Sequence, residues 1–210
     1  MASLKKPVNS PLKSSSSKAL WYGSLAAGAA AGSAHGMVIY TDVIPDLTAS
    51  TVSWDMDNGG TTDFRLEVTG TTEKSQLVPS NPNAGVALTA NSNADKLSAG
   101  ETIGSTTPFS NPGENKTLFD EGTPANYDWS VGARGYLGLR FDLDGSTHYG
   151  WAEISINPLA GNSFDHTLYG YAYESTADTS ILAGAVPEPS TAMLLVAGAA
   201  GAATIRRRRA

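Results

Sequence analysis

The chain contains no cysteine, and this absence excludes several kinds of chemistry at once. Without a thiol there is no disulfide, no thiolate metal site and no cysteine nucleophile. Basic residues are also scarce in the middle, where residues 37–186 hold nineteen acidic side chains and only six basic ones. Phosphate binding needs clustered Lys and Arg, so this acidic region argues against a nucleic-acid partner. A core built by about 150 residues must stabilise the fold without covalent cross-links.

Familiar catalytic motifs are missing as well. The sequence has three histidines and contains neither an HExxH zinc motif nor a GxSxG nucleophile elbow. His148 and His166 are expected in turns or on the surface. With so many acids in the body, a carboxylate pair that includes Glu153 or Glu174 has no particular meaning. We predict that the protein is not an enzyme, and we assign no catalytic residue.

Residues 1–36 have the composition of a secretory signal peptide. Four lysines precede an apolar stretch from Ala19 to about Ala31, and small residues follow at Gly32, Ala34 and Gly36. A basic start, an apolar centre and a small-residue exit are the three parts of such a signal. We therefore predict export, with cleavage after Ala34 or Gly36. A disordered tail followed by an alanine-rich helix is the alternative.

Residues 185–210 also have three parts in a fixed order. Pro187 and Pro189 keep the chain extended and stop a helix from continuing upstream. Residues 191–205 are apolar and small, and they fall short of the roughly 20 residues that cross a bilayer comfortably. A final basic cluster holds this end on the cytoplasmic side, as the positive-inside rule expects; it consists of Arg206, Arg207, Arg208 and Arg209. Together the three parts indicate a sorting signal.

This tail closely resembles the PEP-CTERM sorting domain. The resemblance implies an exported protein of a Gram-negative bacterium, often one that makes exopolysaccharide, and an exosortase of the inner membrane as partner. Pro187, Glu188 and Pro189 are then the recognition residues, and the four arginines are the stop. The protein would insert transiently, stay anchored before processing, and end at the cell surface or outside the cell. An ordinary membrane anchor is the alternative, but it does not explain the Pro-Glu-Pro.

Residues 37–184 predict one all-β domain, because their hydrophobic pattern has a period of two. Gly, Asn, Pro and Ser clusters separate short runs rich in β-branched and aromatic residues, namely VSWDMD, DFRLEVTG, GVALTA, YLGLRFDL, HYGWAEISI, TLYGYAYE and SILAGAV. We expect an antiparallel β-sandwich or jelly roll, flanked by a signal helix and a hydrophobic sorting helix. The later runs also resemble the body of many PEP-CTERM proteins of unassigned activity. Residues 70–129 are looser and are expected to decorate one end or edge.

The clearest predicted hairpin lies around Asp144-Gly145, where glycine accepts the positive φ of a tight turn. In the following strand, Tyr149 and Trp151 share a face with Glu153 unless a bulge at Gly150 shifts the register. Aromatic residues on such a strand either pack in the core or form a platform on which sugars stack. Four residues are the candidates for such a platform: Trp54, Trp129, Tyr149 and Trp151.

One loop resembles the DxDxDGxxD calcium loops that connect strands in extracellular modules. Asp55, Asp57 and Asp63 stand at positions 1, 3 and 9, and a glycine stands at position 6. These three aspartates would supply side-chain ligands, and Thr61 would offer its carbonyl. Alternate oxygen ligands can wrap a hard cation, and the glycine permits the sharp turn.

This loop departs from the calcium pattern in two places. Position 5 is Gly59 rather than an acid or amide, and position 12 is Leu66 rather than Glu. Any site would therefore be weak, with a dissociation constant of about 10⁻⁴ to 10⁻³ M. The alternative is an Asn58-Gly59 hairpin turn flanked by solvated acids, which needs no metal.

These observations favour a non-catalytic structural or adhesive protein at the cell surface or in the extracellular matrix. A carbohydrate-binding module for exopolysaccharide and a secreted glycan-active enzyme are the alternatives. A row of exposed aromatics would favour the module, whereas a concave face with converging acids would favour the enzyme. The fold class does not decide among the three, because sandwiches serve all of them.

Overall fold

A computed structural model describes residues 36–69, 73–81, 83–160 and 163–187. The apolar stretches predicted to form the signal helix and the sorting helix lie outside the described residues. Within the described part, no helix is long and apolar enough to cross a membrane. The domain boundaries at residues 36 and 184 stay predictions.

The described residues are almost entirely β-structure, which confirms the predicted fold class. The strands are β1 (Val38–Ala49), β2 (Thr51–Trp54), β3 (Phe64–Thr69), β4 (Lys74–Pro79), β5 (Gly85–Val86), β6 (Thr102–Ile103), β7 (Lys116–Asp120), β8 (Arg134–Leu143), β9 (Ser146–Pro158), β10 (Phe164–Glu174) and β11 (Ile181–Leu182). One 3₁₀ turn, Pro124–Asn126, follows β7.

Two antiparallel sheets form the sandwich. The larger has the strand order β1-β10-β9-β8-β5, and the smaller has the order β2-β3-β4-β7. The chain passes from one sheet to the other through Ser50, which separates β1 from β2. A short ribbon of β6 and β11 makes a third layer.

The β8–β9 hairpin follows the alternation of its sequence. Leu137, Leu139 and Phe141 are buried in the core between the sheets, as predicted. Leu143 pairs with Ser146, so Asp144 and Gly145 form a two-residue turn. Their φ angles of 54° and 79° are both positive, as a type I′ turn requires. Glycine at the second position accepts this conformation without steric cost.

The larger sheet has two hydrophobic cores, one on each face. Between the sheets, Ala152, Ile154 and Ile156 of β9 pack against residues such as Leu66 and Leu77 of the smaller sheet. The second core covers part of the opposite, outer face and consists of Leu97, Ile103, Tyr149, Trp151, Ala172, Ile181 and Ala183. The β6–β11 ribbon and its flanking loops therefore bury apolar side chains of the outer face, as the smaller sheet buries those of the inner face.

The register of β9 is regular on the β8 side, so no bulge occurs at Gly150 there. Tyr149, Trp151 and Glu153 share the outer face. The irregularity lies in β10 instead, between Leu168 and Gly170.

The prediction that residues 70–129 decorate one end or edge of the sandwich is wrong for much of this region. This region supplies β4, an interior strand of the smaller sheet, together with β5, β6 and β7. Its buried residues include Leu77, Val86 and Leu118. The strand signal of β4 is weak because Ser75, one of its inward residues, is polar and lies fully buried.

Both histidines of the body are buried, contrary to their predicted place on the surface or in turns. His166 lies inside β10, fully buried between the sheets, and its Nε2 atom is 2.7 Å from Ser75 Oγ on β4. His148 Nδ1 is 2.8 Å from the carbonyl oxygen of Glu174 on the neighbouring strand. A hydrogen-bonded imidazole tolerates burial, which the sequence alone does not reveal.

Candidate functional site

None of the four aromatic side chains proposed as a sugar platform presents a face to solvent. Trp54, Trp129, Tyr149 and Trp151 are between 0% and 5% exposed. Trp54 stacks on Phe64 with ring centroids 5.7 Å apart. This group is therefore not a stacking platform in this fold, and the alternative of core packing is correct for all four.

The last folded contacts lie directly before the sorting segment. The Ala183 N–H donates to the Glu101 carbonyl at 2.8 Å, and Trp151 Nε1 donates to the Ala185 carbonyl at 3.1 Å. Val186 is half exposed and Pro187 is exposed. The folded body thus extends to within two residues of Pro187. Glu188, Pro189 and the four terminal arginines lie outside the described residues.

The loop between β2 and β3 brings the three predicted aspartates together. Trp54 pairs with Phe64, and the Asp63 N–H donates to the Trp54 carbonyl at 3.1 Å, which closes the loop. One carboxylate oxygen from each of Asp55, Asp57 and Asp63 lies within 4.8 Å of the others. The spacing of the acids in the sequence therefore predicted their convergence correctly.

Backbone N–H groups of the same loop hold these carboxylates. Asp63 Oδ2 accepts from the Met56 N–H at 2.8 Å, Asp57 Oδ1 from Gly59 at 2.7 Å, and Asp55 Oδ2 from Gly60 at 2.7 Å. Such bonds fix the loop and satisfy part of the charge of each acid without any cation.

The electrostatics of the cluster reflect its burial and its mutual repulsion. Burial raises the pKa of Asp63, and the nearby Asp57 and Asp55 charges add to the effect. Burial also raises the pKa of Asp57. For Asp55 burial acts in the same direction, but hydrogen bonds from Asp57 and from the Gly60 backbone outweigh it and lower its pKa. Divalent cations reverse such shifts by favouring the ionised form.

A cavity of about 330 Å³ adjoins the cluster; its lining residues are Asp57, Gly59, Thr61, Asp63, Ser80 and Asn81. Thr61 therefore lies in the same cavity as two of the acids. Leu66, at the twelfth position of the calcium pattern, is fully buried in the core and offers no ligand. The alternative, a hairpin turn flanked by solvated acids, does not fit fully either. Asp63 is only 5% exposed and so is not a solvated acid.

Three tyrosines that the sequence did not indicate lie on the outer face beside the second core, and Tyr136 packs against that core. Tyr40 on β1 is 37% exposed, and Tyr136 and Tyr169 are partly buried on β8 and β10. These strands lie side by side with β9 between β8 and β10. The sequence does not predict β1, because this strand lies at a sheet edge and contains Pro45. Only the pairing of β1 with β10 brings Tyr40 to this face.

Comparison with known protein families gives a match at the C-terminal end of the chain. An antiparallel β-sandwich of this kind defines only a fold class, within which function varies widely. Residues 185–209 match the PEP-CTERM protein-sorting motif. The chain therefore carries this motif, which implies an exported protein that is sorted through the membrane by an exosortase. No curated protein and no solved structure matches the chain.

Proposed function

We propose that the protein is a non-catalytic β-sandwich with a structural or adhesive role at the surface, or in the extracellular matrix, of a Gram-negative bacterium. The observation that supports this best is the direct junction between body and motif. Ala183 is buried and Ala185 is hydrogen-bonded to Trp151, two residues before Pro187. Cleavage near the Pro-Glu-Pro leaves every described strand intact, so the body persists as a folded module after sorting.

The geometry of the acidic loop supports a body without catalysis. A glycosidase needs two carboxyl groups free to act on one sugar. Here the oxygens of Asp55, Asp57 and Asp63 accept bonds from their own loop, and the described cavity lining contains no aromatic ring against which a sugar would rest. Both features favour a structural role for the loop over a glycan-active one.

The sorting pathway is tested by the intact mass of the protein from cell and medium fractions of the producing cells. We expect loss of residues 1–34 or 1–36 together with truncation near Pro187. A variant with Pro187, Glu188 and Pro189 all replaced by alanine should keep its tail. A matched variant with alanine at Ser190 and Thr191 should be processed normally.

Mass in excess of the truncated species would indicate covalent attachment at the surface. Persistence of the tail through Ala210 on the mature wild-type protein, in cells with an active exosortase, would contradict the proposal. The chain would then behave as an ordinary membrane-anchored sandwich.

A further inference from the structure

The outer face of the larger sheet is covered at one end and open at the other. The second core buries Tyr149 and Trp151 at the covered end. Register places the next row across the sheet as Tyr136, Glu153, Gly170 and Asp42, and the row beyond it as Arg134, Ser155, Thr167 and Thr48. Arg134, Asp42 and Thr48 are exposed, and Tyr136 and Glu153 are partly exposed. Ser155, Thr167 and Gly170 are buried between them, so only part of these two rows is accessible.

The tyrosine face, as we name it, consists of Tyr40, Tyr136, Tyr169, Arg134 and Glu153. The Arg134 guanidinium lies 3.5 Å from the centroid of the Tyr169 ring, and its Nε donates to Glu153 at 2.7 Å. This ion pair and cation–π contact hold the ring in a defined orientation. A side chain at Gly170 would meet Tyr40, because a Cβ there lies 3.0 Å from the Tyr40 hydroxyl. Glycine at this position lets the Tyr40 ring lie across the sheet.

A connected set of hydroxyl and amide groups borders the tyrosine face. Ser155 Oγ donates to Asn157 Oδ1 at 2.8 Å and lies 3.1 Å from the Tyr169 hydroxyl. Asn157 Nδ2 donates to Thr167 Oγ1 at 2.7 Å, and that oxygen is 2.8 Å from Thr48 Oγ1. Hydroxyl groups both donate and accept, and the amide presents one of each function. Ser155 and Thr167 are buried, so they hold the more accessible Tyr169, Asn157 and Thr48 in place before any ligand arrives. This order lowers the entropic cost of binding.

We propose that the tyrosine face binds a neutral polysaccharide. Partly exposed tyrosine rings match the apolar faces of sugar rings, and the phenol groups together with Asn157 and Thr48 match sugar hydroxyls. The charged groups of this face favour neutral glycans over anionic ones. The single basic group of the face, Arg134, is already paired with Glu153, and Asp42 and Asp165 lie on the same face. Anionic polysaccharides are therefore disfavoured by repulsion.

The shape of the surface favours a polymer over a free sugar. The rows run across four neighbouring strands of an open sheet, so a chain can contact several rings in succession. The inference rests on the proposed adhesive role and specifies its ligand class. The earlier platform candidates are buried, so this is a different surface from the one that they suggested.

The test is gel electrophoresis of the protein, purified from producing cells, in gels that contain a neutral polysaccharide. Glucan, mannan, galactan and xylan are the probes, and alginate is the anionic comparator. We expect at least one neutral probe to slow migration and alginate to leave it unchanged. Tyr40→Ala and Tyr169→Ala should each weaken retardation about tenfold, as expected for a central aromatic contact.

Tyr127→Ala is the matched control, since Tyr127 follows the 3₁₀ turn and lies near Lys74 of the smaller sheet. Melting temperatures of all variants show whether each one is folded, and Tyr40→Ala tests the face even where Tyr169→Ala unfolds the protein. Retardation by no neutral probe, by alginate alone, or to an equal degree in Tyr40→Ala, Tyr127→Ala and wild type would overturn the inference.

The two proposals can fail separately. Correct processing in the mass measurement without retardation in any neutral gel removes the glycan inference and leaves the sorted structural role. Retardation in a neutral gel by a protein that retains its tail removes the sorted role and leaves the glycan inference.

Discussion

One of the two buried imidazoles, that of His166, gives the sandwich an acid-sensitive contact between its sheets. His166 is fully buried and is bonded through Nε2 to Ser75. Burial lowers its pKa from 6.5 to about 4, although the Ser50 backbone and the Asp165 charge act in the opposite direction. Above pH 6.5 the residue is neutral in both the folded and the unfolded state, so its titration contributes nothing to stability.

We predict that stability falls as the pH drops from 6.5 to about 4. In that window the unfolded chain binds a proton at His166 and the folded chain does not. The difference in pKa corresponds to about 3 kcal/mol in the free energy of unfolding at the lower limit. Urea unfolding at pH 7.5, 5.5 and 4.5 measures this loss.

His166→Gln is the matched variant, because glutamine keeps a polar group but does not titrate in this range. It should lose less stability between pH 7.5 and 4.5 than the wild type. Equal losses in the two proteins would show that other groups account for the acid sensitivity.

Calcium binding at the acidic loop also belongs to the residue scale. We predict weak binding, with a dissociation constant of about 10⁻⁴ to 10⁻³ M, because two ligands of the usual pattern are missing. Calcium at 10 mM should then raise the melting temperature by a few degrees, on the order expected from about 1 to 3 kcal/mol of linkage. Titration calorimetry with calcium alone measures the affinity.

Asp57→Asn removes one charge of the cluster and should abolish the calcium effect. Asp42→Asn is the control, since this acid lies on β1, outside the loop. An unchanged melting temperature of the wild type in 10 mM calcium would show that the backbone bonds of the loop stabilise it without a cation.

At the scale of elements, the β8–β9 hairpin contains two glycines that matter for different reasons. Gly145 has a φ of 79°, and a Cβ there would meet no atom within 4 Å. Gly138 lies in β8, where a Cβ would come within 2.9 Å of both Ala87 Cβ and Leu97 Cδ1. The first glycine is needed for backbone conformation, and the second for space under the second core.

We predict that Gly145→Ala lowers the free energy of unfolding by about 1 kcal/mol through strain alone. Gly145→Asn should cost less, since asparagine tolerates the left-handed conformation. Gly138→Ala should cost about 1–3 kcal/mol through overpacking. Urea unfolding of the three variants measures these differences, and equal costs for alanine and asparagine at position 145 would contradict the conformational explanation.

The elements that the sequence predicted well are those that alternate cleanly. In β8 the leucines and Phe141 face one core, and the hairpin turn has its own dipeptide signature. The strand β1 is different, because it is a sheet edge in which Ile44 and Leu47 are exposed, and Pro45 interrupts its pattern. In β4, Ser75 points inward, where it forms a hydrogen bond with His166 of the opposite sheet. Such pairs depend on tertiary contacts that local periodicity does not contain.

At the scale of the whole molecule, the acidic loop was predictable and the second core was not. The spacing of Asp55, Asp57 and Asp63 within nine residues is enough to bring them together. Trp151 is buried by segments far away in the chain, around Ile103 and Ile181, that form strands of only two residues. Strands this short leave no periodic signal, so the aromatic side chains of β9 could not be assigned to a core or to a surface in advance.

The late position of β11 in the chain has a consequence for the timing of folding. Ile181 pairs with Ile103, and Val38 at the start of β1 pairs with Glu174, so the closing contacts join distant segments. A chain that emerges from a translocation pore N-terminus first lacks these partners until the last part of the body has passed. The sandwich is therefore completed only as the sorting segment reaches the membrane.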